Sequence, residues 1–488
     1  MTDAASNETT LLLHDESTQE SQSAPEVKYP FSAVQLGLLC YLRMLDPMNF
    51  SQIFPYINQF IRDLHITEDP SQIPFYSGLV ESAFAVSQLL AIYPWGLLSD
   101  TLGRRPVILL GAIGLSMTTL LFGFSRTFFE MFAARALAGL FSGNVAVIPS
   151  MLCEITSKGN QSTIFPFFGL WWPIGAIIGP LIGGNFAYSA TKYPKYLDYR
   201  FLRIYPYFFP CLLISITSAV GFLISYFFLK ETLPCSLPTD NTGTTSYSAI
   251  DYPDQFHNEK YSIKKILRIP IIRAVCISGC ALSFVSTAFD VVFVLFCYSP
   301  ITKGGLAFST TQIGFALAAS GVIAALLQVL IMPTILRHVD HAKMYHFCMK
   351  LWPYTFLGLP VLNMIAVNGL DAANGELNEF TQLIIWMGIA VILSMARVGF
   401  LAYSVSMLLV REHSPHPSAL GSTTGIVQFA ICFARAFSPA FTSAIFALSI
   451  DMELLYGNIW VVVLVGIASG SCIFSKKVME KSNEMNMR

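Results

Sequence analysis

Twelve runs of apolar residues, each long enough to cross a lipid bilayer as a helix, dominate the chain. They lie near 32–59, 76–98, 106–125, 128–151, 163–188 and 204–229, then near 271–299, 311–333, 343–367, 380–409, 418–447 and 456–475. About 20 apolar residues span the ~30 Å hydrocarbon layer. Inside that layer each backbone N–H and C=O needs a partner within its own segment, which confines such runs to helices. The expected fold class is an all-α membrane protein with 12 transmembrane helices and the lipid bilayer as its first partner. Charged residues make up only 12% of the chain, about half the share in soluble domains. A net charge of −1 supplies no basic field for a phosphate backbone, so nucleic acid is excluded as a partner.

The twelve runs fall into two sets of six around a polar, Pro-containing stretch. The division read from this pattern is a disordered cytosolic tail at 1–30, a six-helix bundle at 31–229, a cytosolic linker at 230–270, a second bundle at 271–475 and a cytosolic tail at 476–488. Lys and Arg set the orientation. With both termini inside, 17 of them fall on the cytosolic side, 7 outside and 5 within spans. The outer loop at 189–203, with Lys192, Lys195, Arg200 and Arg203, runs against this rule. Weak internal correspondence relates the halves: Asp46 to Asp290, Asp100 to Asp340, Arg135 to Arg397 and Pro180 to Pro439. Most of the ten cysteines sit inside apolar runs and read as small buried hydrophobes rather than disulfide partners.

Three motifs carry chemistry. The loop after span 2 reads Gly96-Leu-Leu-Ser-Asp100-Thr-Leu-Gly103-Arg104-Arg105-Pro106. Gly103 permits a tight turn. Asp100 stands at a helix C-terminus, where the macrodipole disfavours an anion. It therefore requires a cationic or helix-N-terminal partner, and a partner that comes and goes makes a gate. Span 5 holds Gly175-x3-Gly179-Pro180-x2-Gly183-Gly184, a small-residue ridge for close helix approach with a pliable bend at Pro180. Span 4 carries Arg135-Ala-Leu-Ala-Gly139, and an Arg at that depth needs a cavity or a carboxylate.

The first motif resembles the loop signature of the major facilitator superfamily, G-x-L-x-D-[RK]-x-G-R-[RK], with Thr101 where the family has a basic residue. The span-5 motif resembles that of the superfamily's drug:proton antiporter branch, with Pro166 in place of its earlier glycine. Arg135 matches the family's span-4 arginine, which is tied to proton coupling. Further stretches from Arg43-Met-Leu-Asp46 through Arg435-Ala-Phe-Ser-Pro439 look like fungal metabolite exporters related to plant zinc-induced facilitator-like proteins. The resemblance implies two pseudo-symmetric six-helix bundles and proton-coupled export of metabolites, drugs, chelators or metal complexes.

Acidic residues inside spans are the candidate proton and substrate groups. Span 7 aligns Cys276, Cys280, Ser283, Thr287, Asp290, Val294 and Cys297 on one stripe of mostly small or polar residues, with Phe284, Phe289, Phe293 and Phe296 off it. Asp290 is thus expected to face the cavity and to contact a cationic substrate. Asp46, beside Arg43, is expected to carry the proton. Glu81 is the third carboxylate, Arg135 the modulator, and Arg435 lies in a polar seam of span 11. His338, Asp340, His341, His346, His413 and His416 match no tight metal-ligand spacing, so no metal and no cofactor is expected. Glu8-Thr-Thr-Leu-Leu12-Leu13 has the form of an acidic dileucine sorting signal.

The chain has no Walker-type phosphate loop, no H-E-x-x-H and no G-x-S-x-G. An enzyme is therefore not expected. The reading is a monomeric secondary transporter, a proton-coupled exporter of a small amphipathic molecule, with protons and that molecule as partners. An importer or uniporter, or an exporter of a metal-chelator complex, is the alternative. The plasma membrane is the expected location ahead of a vacuolar or endolysosomal one.

Overall fold

A computed structural model describes residues 32–156, 164, 167–232, 267–332, 339–370, 377–413, 420–452 and 457–486. The linker from 233 to 266, most of the 371–378 loop, Pro166, His338 and His416 lie outside them, as does the N-terminal dileucine stretch.

The described chain is helical throughout. The spanning helices are α1 (Ala33–Ser51), α2 (Ile73–Leu102), α3 (Arg104–Gly123), α4 (Phe128–Ile155), α5 (Trp171–Phe186), α6 (Phe208–Phe228), α7 (Pro270–Tyr298), α8 (Thr310–Ile331), α9 (His341–Asn368), α10 (Glu379–Glu412), α11 (Leu420–Asp451) and α12 (Ile459–Asn486). Ten of these are long and apolar enough to span on that basis alone. The other two, α1 and α9, carry Arg43, Asp46 and Asn49, and His341, Lys343, His346 and Lys350. Their polar residues lower the mean hydropathy while the packing keeps them among the spans.

Local chemistry sets the helix ends. Thr127, Asp340 and Asn378 accept backbone N–H bonds at the starts of α4, α9 and α10. Ser309 and Gln312 form a reciprocal capping box at the start of α8.

Three boundaries differ from the sequence expectation. The first run, 32–59, is two helices: α1 ends at Ser51, a turn follows, and a short helix covers Ile57–Asp63. Pro47 cannot donate a backbone bond. Asn49 Nδ2 and Ser51 Oγ donate to the carbonyls of Leu45 and Pro47 at 2.9 and 2.7 Å, competing with the backbone ladder. α4 is interrupted at Ser142–Gly143 and resumes through Asn144–Ile155. α12 runs without a break past residue 475, so the division there separates apolar from polar parts of one helix. Val478 is fully buried, and Lys476–Glu480 and Lys481–Glu484 are spaced to pair along its face.

In the first half α1 packs on α5, α2 on α4 and α3 on α6; in the second, α7 packs on α11 and α12, and α9 on α10 and α12. Phe289, Phe293 and Phe296 of α7 are fully buried, and Phe289 lies against Trp352 and Phe356 of α9. Phe289 is thus turned toward α9. Phe284 instead meets Phe441 of α11.

The halves meet through α2 on α11 and α5 on α8. Among the described residues, every hydrogen bond joining them lies toward one end, the end that the Lys and Arg distribution assigns to the outside. There Ser82 Oγ accepts from the Ala440 N–H at 2.9 Å. Thr311 Oγ1 donates to Gly184 O at 3.1 Å, and Lys192 Nζ donates to Thr310 and Thr311 Oγ1 at 3.1 and 3.0 Å. Arg62 stacks over Tyr298 at 5.0 Å.

Candidate functional site

Seven charged side chains from six helices converge in the middle of the molecule: Arg43 and Asp46 on α1, Glu81 on α2, Arg135 on α4, Asp290 on α7, Arg397 on α10 and Arg435 on α11. Six of them are the residues the sequence singled out. The seventh, Arg397, was visible only as the repeat counterpart of Arg135.

Arg397 changes the reading of Asp290. Its Nη2 donates to Asp290 Oδ1 at 3.0 Å, and its Nε donates to Ser320 Oγ of α8 at 2.6 Å. The guanidinium also lies 4.4 Å from the centroid of Phe400. Three helices of the second half are thereby tied together. Asp290 faces the space between the halves, its side chain one-third exposed, but its charge is matched by Arg397.

The remaining charges are arranged differently. Among the described residues none of Arg43, Asp46, Glu81, Arg135 or Arg435 forms an ion pair. Arg43 stacks on Trp172 and Phe168, 4.8 and 5.7 Å from their centroids, and its Nε and Nη1 have no hydrogen-bond partner. Asp46 is buried with Oδ2 unpartnered, and no ion pair joins it to Arg43. Arg135 is 4% exposed and sits among Phe84, Phe50 and Phe122 at 4.6, 5.9 and 5.9 Å, with Nε and Nη2 unpartnered. Glu81, also 4% exposed, is within electrostatic reach of Arg135 and Asp290. Arg435 reaches across from the second half to lie 4.9 Å over Phe50 of α1.

The span-5 glycines form a working surface. A Cβ at Gly175 or Gly183 would collide with the carbonyls of Met44 or Gln52 of the first segment, and one at Gly179 would stand 2.7 Å from Met48 O. Gly184 turns the other way and meets Gly314 of α8 with Thr310 O 2.6 Å from where its Cβ would be. Pro180 O approaches Gly314 equally closely. One helix thus packs closely against α1 within its half and against α8 across the interface.

The loop motif is a knot inside the first half. Asp100 pairs with Arg104 at 2.6 Å, and Arg104 Nε also reaches Glu154 of α4 at 3.0 Å. Glu231 accepts the backbone N–H groups of Arg104 and Arg105 at 2.9 and 3.0 Å, an anion on the N-terminus of α3 where the macrodipole favours it. Gly103 has φ +105°, and a Cβ there would meet the Glu231 carboxylate. Arg105 donates to Tyr226 O of α6. Gly96 has open space around it. Glu154 and Glu231, 50 and 127 positions from Arg104, carry no motif that could have flagged them.

Elsewhere, no group of three or more His, Cys, Asp or Glu side chains among the described residues is placed to hold a metal ion. His341 pairs with Glu412 at 2.5 Å.

Residues 39–439 match the Major Facilitator Superfamily. The chain is 36% identical over 479 residues to the major facilitator-type transporter psiT2 of Psilocybe cyanescens, covering 92% of this chain and 90% of that one. It is 28% identical to the efflux pump azaK of Aspergillus niger, over 86% and 83% of the two chains. Among solved structures, an inward-facing, occupied bacterial homologue of the human lysosomal transporter Spinster superposes with a TM-score of 0.61 at 12% identity, over 93% and 94% of the chains. With its two six-helix bundles, its loop motif and these matches along almost its whole length, the chain belongs to the major facilitator superfamily of membrane transporters.

Proposed function

We propose that this transporter is a proton-coupled exporter of a small amphipathic metabolite, working by alternating access in the plasma membrane between bundles spanning 31–229 and 271–475. The observation that carries the reading is the group of unpaired charges, Asp46, Glu81 and Arg135, between two halves that are hydrogen-bonded at the outer end. A carboxylate in a partly dry space favours its neutral form, and a nearby guanidinium opposes that. Relative movement of the two therefore loads and unloads a proton. Asp46, buried and one turn from an Arg43 that has turned away onto Trp172, is the proposed carrier, and Glu81 with Arg135 the proposed modulating pair. The glycine face of α5 supplies the sliding contact, and Asp100 with Arg104 and Arg105 the cytosolic clamp. Asp100 is 58% exposed here, available to dock on the second half when the cytosolic ends approach. The presence of an efflux pump among the relatives supports export.

Reconstituted protein tests this. Asp46→Asn should abolish substrate movement driven by a pH gradient while retaining exchange at equal pH on both sides. If that variant still concentrates substrate when driven by pH, Asp46 is not the carrier. Reversing the imposed gradient separates export from import.

A further inference from the structure

The charges between the halves do not balance, and the imbalance points to the substrate. Four arginines (Arg43, Arg135, Arg397, Arg435) face three carboxylates (Asp46, Glu81, Asp290). Arginine stays protonated at every accessible pH. Full ionisation of the carboxylates leaves one positive charge in excess, and a coupling proton on any of them leaves two. The space is cationic in every protonation state.

The excess is localised. Arg397 is matched by Asp290, and Arg135 is ringed by three phenylalanines and faces Glu81. Arg43 of the first half and Arg435 of the second remain, within electrostatic reach of one another although like charges repel strongly where water is scarce. Each lies on an aromatic face, Trp172 for Arg43 and Phe50 for Arg435. The charged groups facing the pair are Asp46 beside Arg43, Asp290 beside Arg435, and Arg135, which shares the Phe50 ring with Arg435; Asp290 is already engaged by Arg397. Two buried nitrogens of Arg43 have no partner, and an unmet buried donor is costly. A purely cationic substrate would add to the repulsion; an anionic group would relieve it, since guanidinium groups hold carboxylates and phosphates with paired hydrogen bonds.

We propose that the substrate carries an anionic group, a carboxylate or phosphate on an aromatic or amphipathic body, held between Arg43 and Arg435 against Trp172 and Phe50. One arginine from each half then grips the same group, so binding draws the halves together. This rests on the transporter reading above and narrows its substrate class.

The test compares three probes on one scaffold, 1-naphthyl phosphate, 1-naphthoate and 1-naphthylmethylamine, binding to the purified full-length protein. The two anions should bind on the order of tenfold or more tighter than the amine, and Arg435→Gln should remove a similar factor, as expected for a lost charge-assisted hydrogen bond. Arg435→Lys should recover part of it. Lys350→Gln, in a groove between α9 and α12 away from the charge cluster, should change nothing. Amine binding as tight as that of the anions, binding of none of the three, or anion binding indifferent to Arg435→Gln overturns the assignment. Counterflow in proteoliposomes separates the two readings. Exchange of the amine alone keeps the transporter and removes the anion site; anion binding without exchange of any probe keeps the site and removes the transport reading.

Discussion

Arg135 lies on the fourth helix of the first half and Arg397 on the fourth of the second, and their surroundings differ. Arg397 holds Asp290 and Ser320, and its charge is neutralised in place. Arg135 has two guanidinium nitrogens without partners and is surrounded by phenylalanine faces. An arginine held by a carboxylate and a hydroxyl is a fixed brace. One held by ring faces, each worth about 0.5–2 kcal/mol, with a carboxylate in reach but not bonded to it, moves or changes partners at smaller cost. The contrast assigns a structural role to the second-half arginine and leaves the first-half one available for coupling. Pseudo-symmetry of the backbone has not imposed symmetry on the surroundings of these two arginines.

The largest expected effect comes from breaking the brace. Arg397→Gln should destabilise the protein by about 3 kcal/mol, the low end for a broken buried ion pair because this one borders the space between the halves. The loss would be read as a lowered thermal midpoint in detergent, and adding Asp290→Asn should restore most of it. If the double variant is no more stable than Arg397→Gln alone, the pair is not a brace. Arg135→Gln is the counterpart. Its stability should stay within about 1 kcal/mol of the parent, since the substitution also removes an unpaired buried charge, while pH-driven transport falls by on the order of tenfold. Equal destabilisation by the two variants would erase the distinction drawn between the halves.

Smaller effects are expected where charges meet water. Asp100→Asn removes one partner of Arg104 but leaves Glu154 and Ser99. An exposed pair contributes about 0–1 kcal/mol, so abundance should be unchanged while the cytosolic ends spend more time apart. Unchanged accessibility of cysteines placed at those ends, together with unchanged transport, would remove the clamp.

The smallest effect concerns Lys192, which joins the halves at the outer end. Partial burial pushes its ammonium down to about 8. The lowered value belongs to the state closed on the outside, so the charged form works against closure below about pH 8. Raising the outer pH from about 8 to 10 should favour closure, seen as a shorter distance between spin labels on the outer ends of α5 and α8. Lys192→Met should abolish that dependence. A dependence of equal size in the variant assigns it to another group.

Much of this organisation was legible in the sequence. The spans could be counted because a bilayer forces long apolar runs into helices, and Gly103 and the span-5 glycines stood out because only a residue without Cβ fits a φ of +105° or a carbonyl at contact distance. Asp46, Glu81, Asp290, Arg43, Arg135 and Arg435 stood out because a charge at membrane depth is rare. Two of the four outer-loop cations that ran against the charge rule acquire local reasons: Lys192 binds α8, and Arg203 grips Asp198 with two bonds of 2.7 Å. What stayed hidden was the pairing. Asp290 and Arg397 are 107 positions apart, and nothing in either run announces that α7 and α10 bring them within 3.0 Å.

The sequence by itself therefore determined the elements and the types of group buried among them, because span length, helical periodicity and the expense of an intramembrane charge act along the chain. Only the tertiary structure decided which carboxylate is neutralised, which arginines are left over and which end of the molecule is hydrogen-bonded shut. Those depend on distances between side chains of different helices, where a few ångströms at low dielectric turn a free charge into a paired one.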